Sequence, residues 1–138
     1  MDAIDRQILA MLRANARLPL KSIAATVGLA RSSVRARLSK LEAAGTIGGY
    51  HARIVDQGGI AAILQLRLAR TPSPEIVGAI TDMAEVVRCY SLSGDIDLLV
   101  EIEAADGAQL NATRDRIATI AGVDDTTTAL ILKRDKDR

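Results

Sequence analysis

One short segment of the chain combines cationic and hydroxyl side chains at helical spacing. If this segment, residues 31–40, is a helix that packs through its apolar residues, such as Val34 and Leu38, its solvent side is left with cationic and hydroxyl side chains: Ser32, Ser33, Arg35, Ser39 and Lys40. Such groups hydrogen bond to base edges or pair with phosphates, and a helix that carries them suits the major groove of DNA. We expect base-edge contacts from Ser32, Ser33, Arg35 and Ser39. We expect phosphate contacts from Lys21, Arg31, Lys40, Tyr50 and His51.

A helix-turn-helix is the element that would position these side chains, and the neighbouring residues have its spacing. Ala24 is followed four positions later by Gly28 and six positions after that by Val34. A small residue lets two helices approach closely, glycine supplies the positive φ of the tight turn, and valine anchors the second helix on the first. The alternative is an ordinary helical pair with a solvated basic face. The turn spacing and the charge distribution together favour DNA binding.

The net charge of +1 conceals a division of the chain into oppositely charged parts. Residues 1–53 hold nine Lys/Arg against three Asp/Glu, whereas residues 54–132 hold five against twelve. Such asymmetry indicates two modules: a basic one that binds a polyanion, and an acidic one that assembles or senses. We expect a helix-turn-helix domain over residues 1–54, a linker over residues 55–60 and a second domain over residues 61–138.

The first domain is predicted to be helical up to Gly45. Asp2 is a candidate N-cap for a first helix that ends near Asn15, and Pro19 stands at the start of the second helix. Residues 46–54 are predicted to form a short extended segment or a wing.

Arg37 lies on the predicted DNA-facing helix, but its role is open. It could form a structural salt bridge, for instance with Glu42, and we do not expect it to contact a base.

From Ala61 onward the pattern changes to alternating strands and helices. Strands are predicted over residues 62–69, 86–92, 97–103 and 123–132. Helices are predicted over residues 75–84 and 109–120. The order βαββαβ predicts an α+β fold, in which a four-stranded antiparallel sheet carries both helices on one face.

The other face of this sheet cannot stay bare, because the residues predicted to lie on it are largely apolar. They are Ile63, Val87, Cys89, Leu99 and Ile131. A second copy of the chain is the simplest cover.

The loop Ser93-Gly94-Asp95-Ile96-Asp97 is the other segment with chemistry of its own. Its two carboxylates could hold the ammonium group of a small ligand, while backbone N–H groups donate to the carboxylate of that ligand. The alternative is a hairpin turn whose aspartates bond their own backbone, and composition alone favours this alternative. The three threonines at residues 126–128 are likewise either strand residues or ligand-facing hydroxyls.

The chain has one histidine, His51, and one cysteine, Cys89. A metal site needs several ligands and a nucleophilic triad needs a partnered base, so we expect no catalytic residue, no metal and no cofactor. A single cysteine also excludes an internal disulfide and fits a reducing cytoplasm. The apolar runs are far shorter than the ~20 residues that span a bilayer, and no secretory signal begins the chain, so we expect no membrane partner.

Over nearly its whole length the chain resembles the Lrp/AsnC family, the feast/famine transcriptional regulators. The matching segments of the first half are residues 2–9 (DAIDRQIL), 16–18, 27–29, 37–47 and Tyr50. The matching segments of the second half are residues 93–99 (SGDIDLL), 122–123 and 126–128. Each motif is short, but their joint order is specific.

The resemblance implies a winged-helix-like helix-turn-helix domain followed by a ferredoxin-like domain for effector binding and oligomerisation. It implies three partners: double-stranded DNA, further copies of the chain in dimers, tetramers or octamers, and a small effector such as an amino acid. It places that effector at a subunit interface, in contact with Ser93, Gly94, Asp95, Asp97, Thr126 and Thr128. It also implies a cytoplasmic protein associated with the nucleoid.

Two alternatives stay open beside an effector-controlled regulator. One is an architectural DNA-binding protein that needs no effector. The other is an enzyme similar to the sirohaem decarboxylases related to this family. Haem chemistry would be expected to recruit more than one histidine, so we expect no enzyme.

The chain departs from the family pattern at two places. Ala30 stands where a serine N-cap is usual, and Arg31 stands where proline is common. Losing a cap costs about 1 kcal/mol unless Arg31 at a phosphate or Ser32 compensates. An aromatic residue usual in the acidic loop is also absent, with Ile96 and Leu98 there instead. We therefore expect an aliphatic pocket wall or a different effector.

Overall fold

A computed structural model describes residues 1–52 and 58–135 of the chain, which divides into two compact units, Met1–Val55 and Asp56–Arg138. The expected linker over residues 55–60 lies partly outside the described residues, which resume at Gly58. Its last residue, Ile60, already belongs to a strand. The two units are described separately below.

The first unit contains three helices: α1 (Ala3–Ala14), α2 (Leu20–Val27) and α3 (Arg31–Ala43). Asp2 is the N-cap of α1 and forms a capping box with Asp5, in which each side chain accepts the backbone N–H of the other at 2.8 Å. Asn15 ends α1, and Pro19 is the N-cap of α2. The predicted start and end of the first helix are therefore confirmed.

The turn between α2 and α3 has the predicted geometry. Gly28 adopts φ +68°, a left-handed conformation that favours glycine, and Leu29 donates its N–H to the carbonyl of Ala24 at 3.1 Å. The core of this unit consists of four buried residues, Ile8, Ile23, Ala24 and Val34. The helix-turn-helix predicted from the spacing of Ala24, Gly28 and Val34 is therefore confirmed.

The segment after α3 begins with a turn and contains no regular strand up to residue 52, so the predicted extended segment or wing over residues 46–54 stays a prediction. Gly45 adopts φ +68° just beyond the helix, and residues 46–52 contain no strand. Residues 53 and 54, which complete the predicted wing, lie outside the described residues. Glycines at positions 45, 48 and 49 favour turns and disfavour a regular strand there.

The second unit has the predicted βαββαβ order. Its strands are β1 (Ile60–Leu68), β2 (Val86–Ser91), β3 (Leu98–Ala104) and β4 (Val123–Leu130). Its helices are α4 (Pro74–Thr81) and α5 (Gly107–Ala118). The strands form one antiparallel sheet in the order β2-β3-β1-β4, the arrangement of a ferredoxin-like fold.

The core of the second unit lies between this sheet and the two helices. Leu64 and Leu66 of β1 are fully buried, together with Val100 and Ile102 of β3. The helices contribute four buried apolar side chains: Ile76 and Ile80 from α4, and Leu110 and Ile117 from α5. Strict alternation along β1 and β3 keeps one face of the sheet in the core, as predicted.

The prediction for the opposite face is wrong at Cys89. A bulge between Val86 and Arg88 shifts the register of β2, so Cys89 pairs with the buried Val100 and packs on the helix side. Burial there raises the pKa of the Cys89 thiol. Ile63 and Leu99 alternate with buried neighbours and do lie on the opposite face.

The N-terminus of α3 generates a stability prediction. Ala30 occupies the N-cap position with φ −65° and ψ 147°, and it supplies no side-chain cap. A serine there can accept a backbone N–H of the first turn, so Ala30→Ser should raise the free energy of unfolding by about 1 kcal/mol. Denaturant unfolding of the full chain measures this change.

Ala36→Ser is the matched control, because Ala36 is exposed in the interior of the same helix. Serine has a lower helix propensity than alanine, so this variant should lose about 0.5 kcal/mol. Equal effects of the two substitutions would show that position 30 does not act as a cap.

Candidate nucleic-acid interface and ligand loop

The exposed side of α3 carries the predicted base-reading residues. Ser32, Arg35 and Ser39 follow one another at intervals of three and four, and Ser33 and Lys40 flank them. All five are exposed, whereas Val34 and Leu41 are buried on the opposite side of the helix. The helix therefore presents hydroxyls and cations outward and apolar residues inward, as predicted.

The first turn of α3 has free backbone donors. The first backbone bond of the helix runs from the N–H of Val34 to the carbonyl of Ala30, at 3.1 Å. The N–H groups of Arg31, Ser32 and Ser33 precede it and have no acceptor within the helix. These donors and the side chain of Arg31 lie together at the positive end of the helix dipole.

The remaining predicted phosphate contacts lie outside α3. Lys21 is the second residue of α2 and is exposed. Tyr50 and His51 are exposed in the segment after α3. The hydroxyl of Tyr50 donates to Oε1 of Glu42 at 2.7 Å, which raises the pKa of Tyr50 and ties this segment back to the end of α3.

Arg37 forms a salt bridge, but not with Glu42 as the sequence suggested. Its Nη1 donates to Oδ2 of Asp2 at 2.6 Å and to Oδ1 of Asp5 at 2.7 Å. Hydrogen bonds from the backbone N–H of Asp5 and from Arg37 hold the pKa of Asp2 below its usual value. The backbone N–H of Asp2 and Arg37 do the same for the pKa of Asp5. Sequence reasoning missed these partners because they are more than thirty residues away.

The acidic loop has a structural aspartate and an exposed one. Asp97 is half-buried, and its Oδ2 accepts the backbone N–H of Leu68 at 2.8 Å, beside the bulge at the end of β1. Its backbone also bonds to Leu66 and Leu92. Asp95 is exposed, and Gly94 adopts φ +114°. Asp97 therefore fixes the loop to β1, a long-range contact that neither interpretation of the sequence included.

Ser93 and the threonines complete the set of predicted effector residues. Ser93 is exposed in the loop. Thr126 and Thr128 pair with Leu66 and Leu64, so they face the helix side of the sheet. Their hydroxyl oxygens are buried and have no hydrogen-bond partner among the described residues. Since β1 lies between β3 and β4, the start of β3 and Thr126 are about 10 Å apart across two strand spacings.

One cavity escaped the sequence analysis. It has a volume of about 300 Å³ and lies between the loop after β1 and the loop before β4. Arg70 and Glu75 provide opposite charges in its lining, and Ser73 is buried beside them. None of the six predicted effector residues lines it. The loop after β1 contains Pro72, and Pro74 begins α4, but nothing in the spacing of these prolines predicts a cavity.

The face of the sheet opposite the helices carries a charge network as well as apolar residues. The half-buried carboxylate of Glu101 accepts from Arg88 at 2.7 Å and from Arg134 at 2.5 Å. Burial alone would raise the pKa of Glu101, but the hydrogen bonds from Arg134 and Arg88 outweigh it and lower that pKa. Arg134 also pairs with Glu103 at 2.8 Å, so it attaches the segment after β4 to this face.

Residues 1–52 and 58–135 contain no group of three His, Cys, Asp or Glu side chains that could hold a metal ion. None of the helices in those ranges is both long and apolar enough to cross a membrane.

Comparison with known proteins identifies both units. Residues 1–42 match the AsnC-type helix-turn-helix domain, and residues 61–138 match the Lrp/AsnC ligand binding domain. The chain belongs to the Lrp/AsnC family. The ferredoxin-like unit is thus the Lrp/AsnC ligand-binding domain, and α3 is the second helix of an AsnC-type helix-turn-helix.

Individual Lrp/AsnC proteins align over nearly the full length. HTH-type transcriptional regulator LysM of Sulfurisphaera tokodaii is 31% identical over 134 residues, which cover 96% of each chain. Leucine response regulatory protein LrpA of Mycobacterium tuberculosis is 29% identical, with a TM-score of 0.88 over 99% of this chain and 96% of that one. A transcriptional regulator of Neisseria meningitidis, solved as a complex with L-Met, is 27% identical, with a TM-score of 0.83 over 99% and 93%.

The position of Asp97 generates the second prediction. Asp97→Ala removes a charged acceptor from the N–H of Leu68, so it should lower the free energy of unfolding by about 1.5 kcal/mol. Asp95→Ala is the matched control and should change it by less than about 0.5 kcal/mol, because Asp95 is exposed. Denaturant unfolding compares the two, and an equal loss would contradict the structural role of Asp97.

Proposed function

We propose that this Lrp/AsnC protein is a sequence-specific transcriptional regulator whose α3 enters the major groove. The observation that carries this proposal is the exposed face of α3, where hydroxyls and cations stand together without a carboxylate between Arg31 and Lys40. Ser32, Ser33, Arg35 and Ser39 contact base edges. The phosphate contacts are Lys21, Arg31, Lys40, Tyr50 and His51.

The free donors at the start of α3 support a phosphate contact at Arg31. An anion at a helix N-terminus accepts backbone N–H groups and interacts favourably with the helix dipole. Arg31 adds a cation at the same place. A DNA phosphate would then accept the backbone N–H groups that a capping side chain would otherwise accept, because Ala30 has no side chain that can cap α3.

We further propose that an amino acid binds the second unit and controls assembly or DNA affinity. Family membership and the L-Met complex of the Neisseria relative support this class of effector. Asp95 is available for an ammonium group, since Asp97 already holds the loop in place. The unpaired hydroxyls of Thr126 and Thr128 lie about 10 Å from the loop of their own chain, across two strand spacings, so they are candidate partners for the carboxylate of an amino acid held by the loop of a neighbouring subunit. Because the loop is exposed on a single chain, a neighbouring subunit would complete the pocket.

We propose self-association through the face of the sheet opposite the helices. Ile63 and Leu99 lie on that face only half-buried, and Tyr90 is 49% exposed. An apolar face of this kind is stabilised when a second copy covers it. A cytoplasmic location on the nucleoid follows from the proposed role.

A regulator is preferred to an enzyme because the aligned LysM and LrpA proteins are named as regulators. An architectural protein without an effector is the second candidate. Defined footprints that change when an amino acid is added would exclude it.

The DNA-binding roles are tested on a duplex that the full chain selects from a randomised library. Lys40→Ala should weaken binding to all duplexes and lower the slope of log affinity against log salt by about 1 per subunit. Arg35→Ala should instead reduce discrimination between the selected duplex and its single-base variants by about 1–3 kcal/mol. Fluorescence anisotropy over a salt series measures both quantities. An unchanged ranking of the duplex variants with Arg35→Ala would reject the base-reading role.

The effector site is tested by thermal unfolding of the full chain with each of the twenty amino acids. A ligand present at a hundred times its Kd stabilises the folded chain by about 2.7 kcal/mol, which raises Tm by several degrees. Thr126→Val should abolish that shift, yet leave the free chain as stable or more stable, because it replaces an unpaired hydroxyl. Sedimentation of the same samples reports any change of assembly.

Asp95→Asn should also abolish the shift. Asp124→Asn, an exposed change on β4, is its control. Retention of the full shift in both Asp95→Asn and Thr126→Val would move the site elsewhere.

A further inference from the structure

Asp2, Asp5 and Arg37 form a closed network between the start of α1 and the middle of α3. Oδ1 of Asp2 accepts the N–H of Asp5, and Oδ2 of Asp5 accepts the N–H of Asp2. The remaining oxygen of each carboxylate accepts from Nη1 of Arg37. All four carboxylate oxygens therefore have a donor, and one guanidinium nitrogen joins two helices.

The apolar core does not make this network redundant. Ile8, Ile23, Ala24 and Val34 hold the three helices together, with α1 and α3 each packed mainly against α2. Apolar contact is non-directional, so it resists separation of the helices better than rotation of α3 about its own axis. Two charge-assisted hydrogen bonds from one nitrogen impose direction and distance. Rotation of α3 is what determines which of its side chains face DNA.

Capping alone does not explain two carboxylates at this place. Asparagine or serine at the N-cap and glutamine at the third position would cap α1 without negative charge. Carboxylates in a unit that binds a polyanion are electrostatically unfavourable. The charge of these carboxylates strengthens their hydrogen bonds to Arg37. Arg37 lies on the side of α3, between its exposed face and the buried residues Val34 and Leu41.

We infer that Arg37 is a positioning residue, and that Asp2 and Asp5 hold it to set the rotation of α3 presented to DNA. This inference rests on the proposed function, since it concerns the affinity of α3 for a duplex. In this role Arg37 contacts neither a base nor a phosphate. The carboxylates of Asp2 and Asp5 then favour DNA binding, although their charge has the same sign as that of DNA.

The two explanations predict opposite changes in DNA affinity when the carboxylates are removed. Electrostatics alone predicts that removing carboxylates tightens DNA binding, whereas positioning predicts that it weakens binding. The double substitution Asp2→Asn and Asp5→Asn keeps α1 capped, because asparagine is as good an N-cap as aspartate. In the otherwise unchanged chain, it should weaken binding to the selected duplex about fivefold, within the range of couplings measured in hydrogen-bonded networks.

The same double substitution is then made in the Arg37→Ala chain. There the network no longer exists, so the double substitution should leave affinity unchanged or tighten it. Glu42→Gln is the matched control, because it removes a carboxylate from α3 outside the network while its amide oxygen can still accept from Tyr50. It should not weaken binding. Arg37→Lys, which keeps the charge, should restore part of the affinity that Arg37→Ala loses.

Binding is measured by anisotropy at a temperature where thermal unfolding shows each variant fully folded. If Arg37→Ala does not fold, Arg37→Met replaces it in the cycle, because methionine keeps a long unbranched side chain but has no donor for the two carboxylates. The slope of affinity against salt should be the same for Arg37→Ala and the unchanged chain. A slope lower by about 1 per subunit would make Arg37 a phosphate contact and overturn the inference.

Tighter binding by the double variant in the unchanged background would also overturn it. Failure of the unchanged chain to bind any duplex would instead reject the proposed function, and the inference with it. The two failures are therefore distinguishable in one set of measurements.

Discussion

The left-handed turn at Gly28 is the constraint on which the presentation of α3 depends. A residue with a Cβ is strained at φ +68°, so this position needs glycine for the chain to reverse between α2 and α3. The reversal allows Val34 to reach the core beside Ala24, whose small side chain leaves room for the second helix. Once Val34 is buried, the helical period places Arg35 and Ser39 on the exposed side. The conformation of Gly28 therefore determines which side chains of α3 are exposed.

In the second unit, the two faces of the sheet differ in what covers them. The chain has no phenylalanine or tryptophan, so the core on one face of its sheet is built mainly from leucine, isoleucine and valine. Strict alternation along β1 leaves Ile63 on the other face, where Glu101 of β3 pairs with Arg134 from the segment after β4. Apolar residues make that face suitable for a second copy, and the ion pairs beside them restrict the geometry in which a copy can bind. Such pairs contribute more to specificity than to affinity.

Sequence reasoning succeeded where a local period determines the structure and failed where a distant residue does. The alternation of Leu64 and Leu66 and the spacing from Ala24 to Val34 are local, and both are confirmed. Cys89 was assigned to the wrong face because a bulge in β2 changes the register without a signal in the sequence. Arg37 and Asp97 found partners about thirty residues away. The contacts that the site residues make with DNA or an effector stay predictions.

The N-termini of α1 and α3 differ in whether side chains accept the unpaired backbone N–H groups of the first turn. At the start of α1, the carboxylate of Asp2 accepts the N–H of Asp5 in the first turn, the carboxylate of Asp5 accepts the N–H of Asp2, and both contact Arg37 as well. At the start of α3 no side chain caps the first turn, although a cap would stabilise the isolated chain. The difference is explained if DNA supplies the acceptor at α3, because a side-chain cap would compete with a phosphate for the same donors. The helix that stays away from DNA is then capped by its own chain, and the helix that meets DNA gives up that stability in favour of binding.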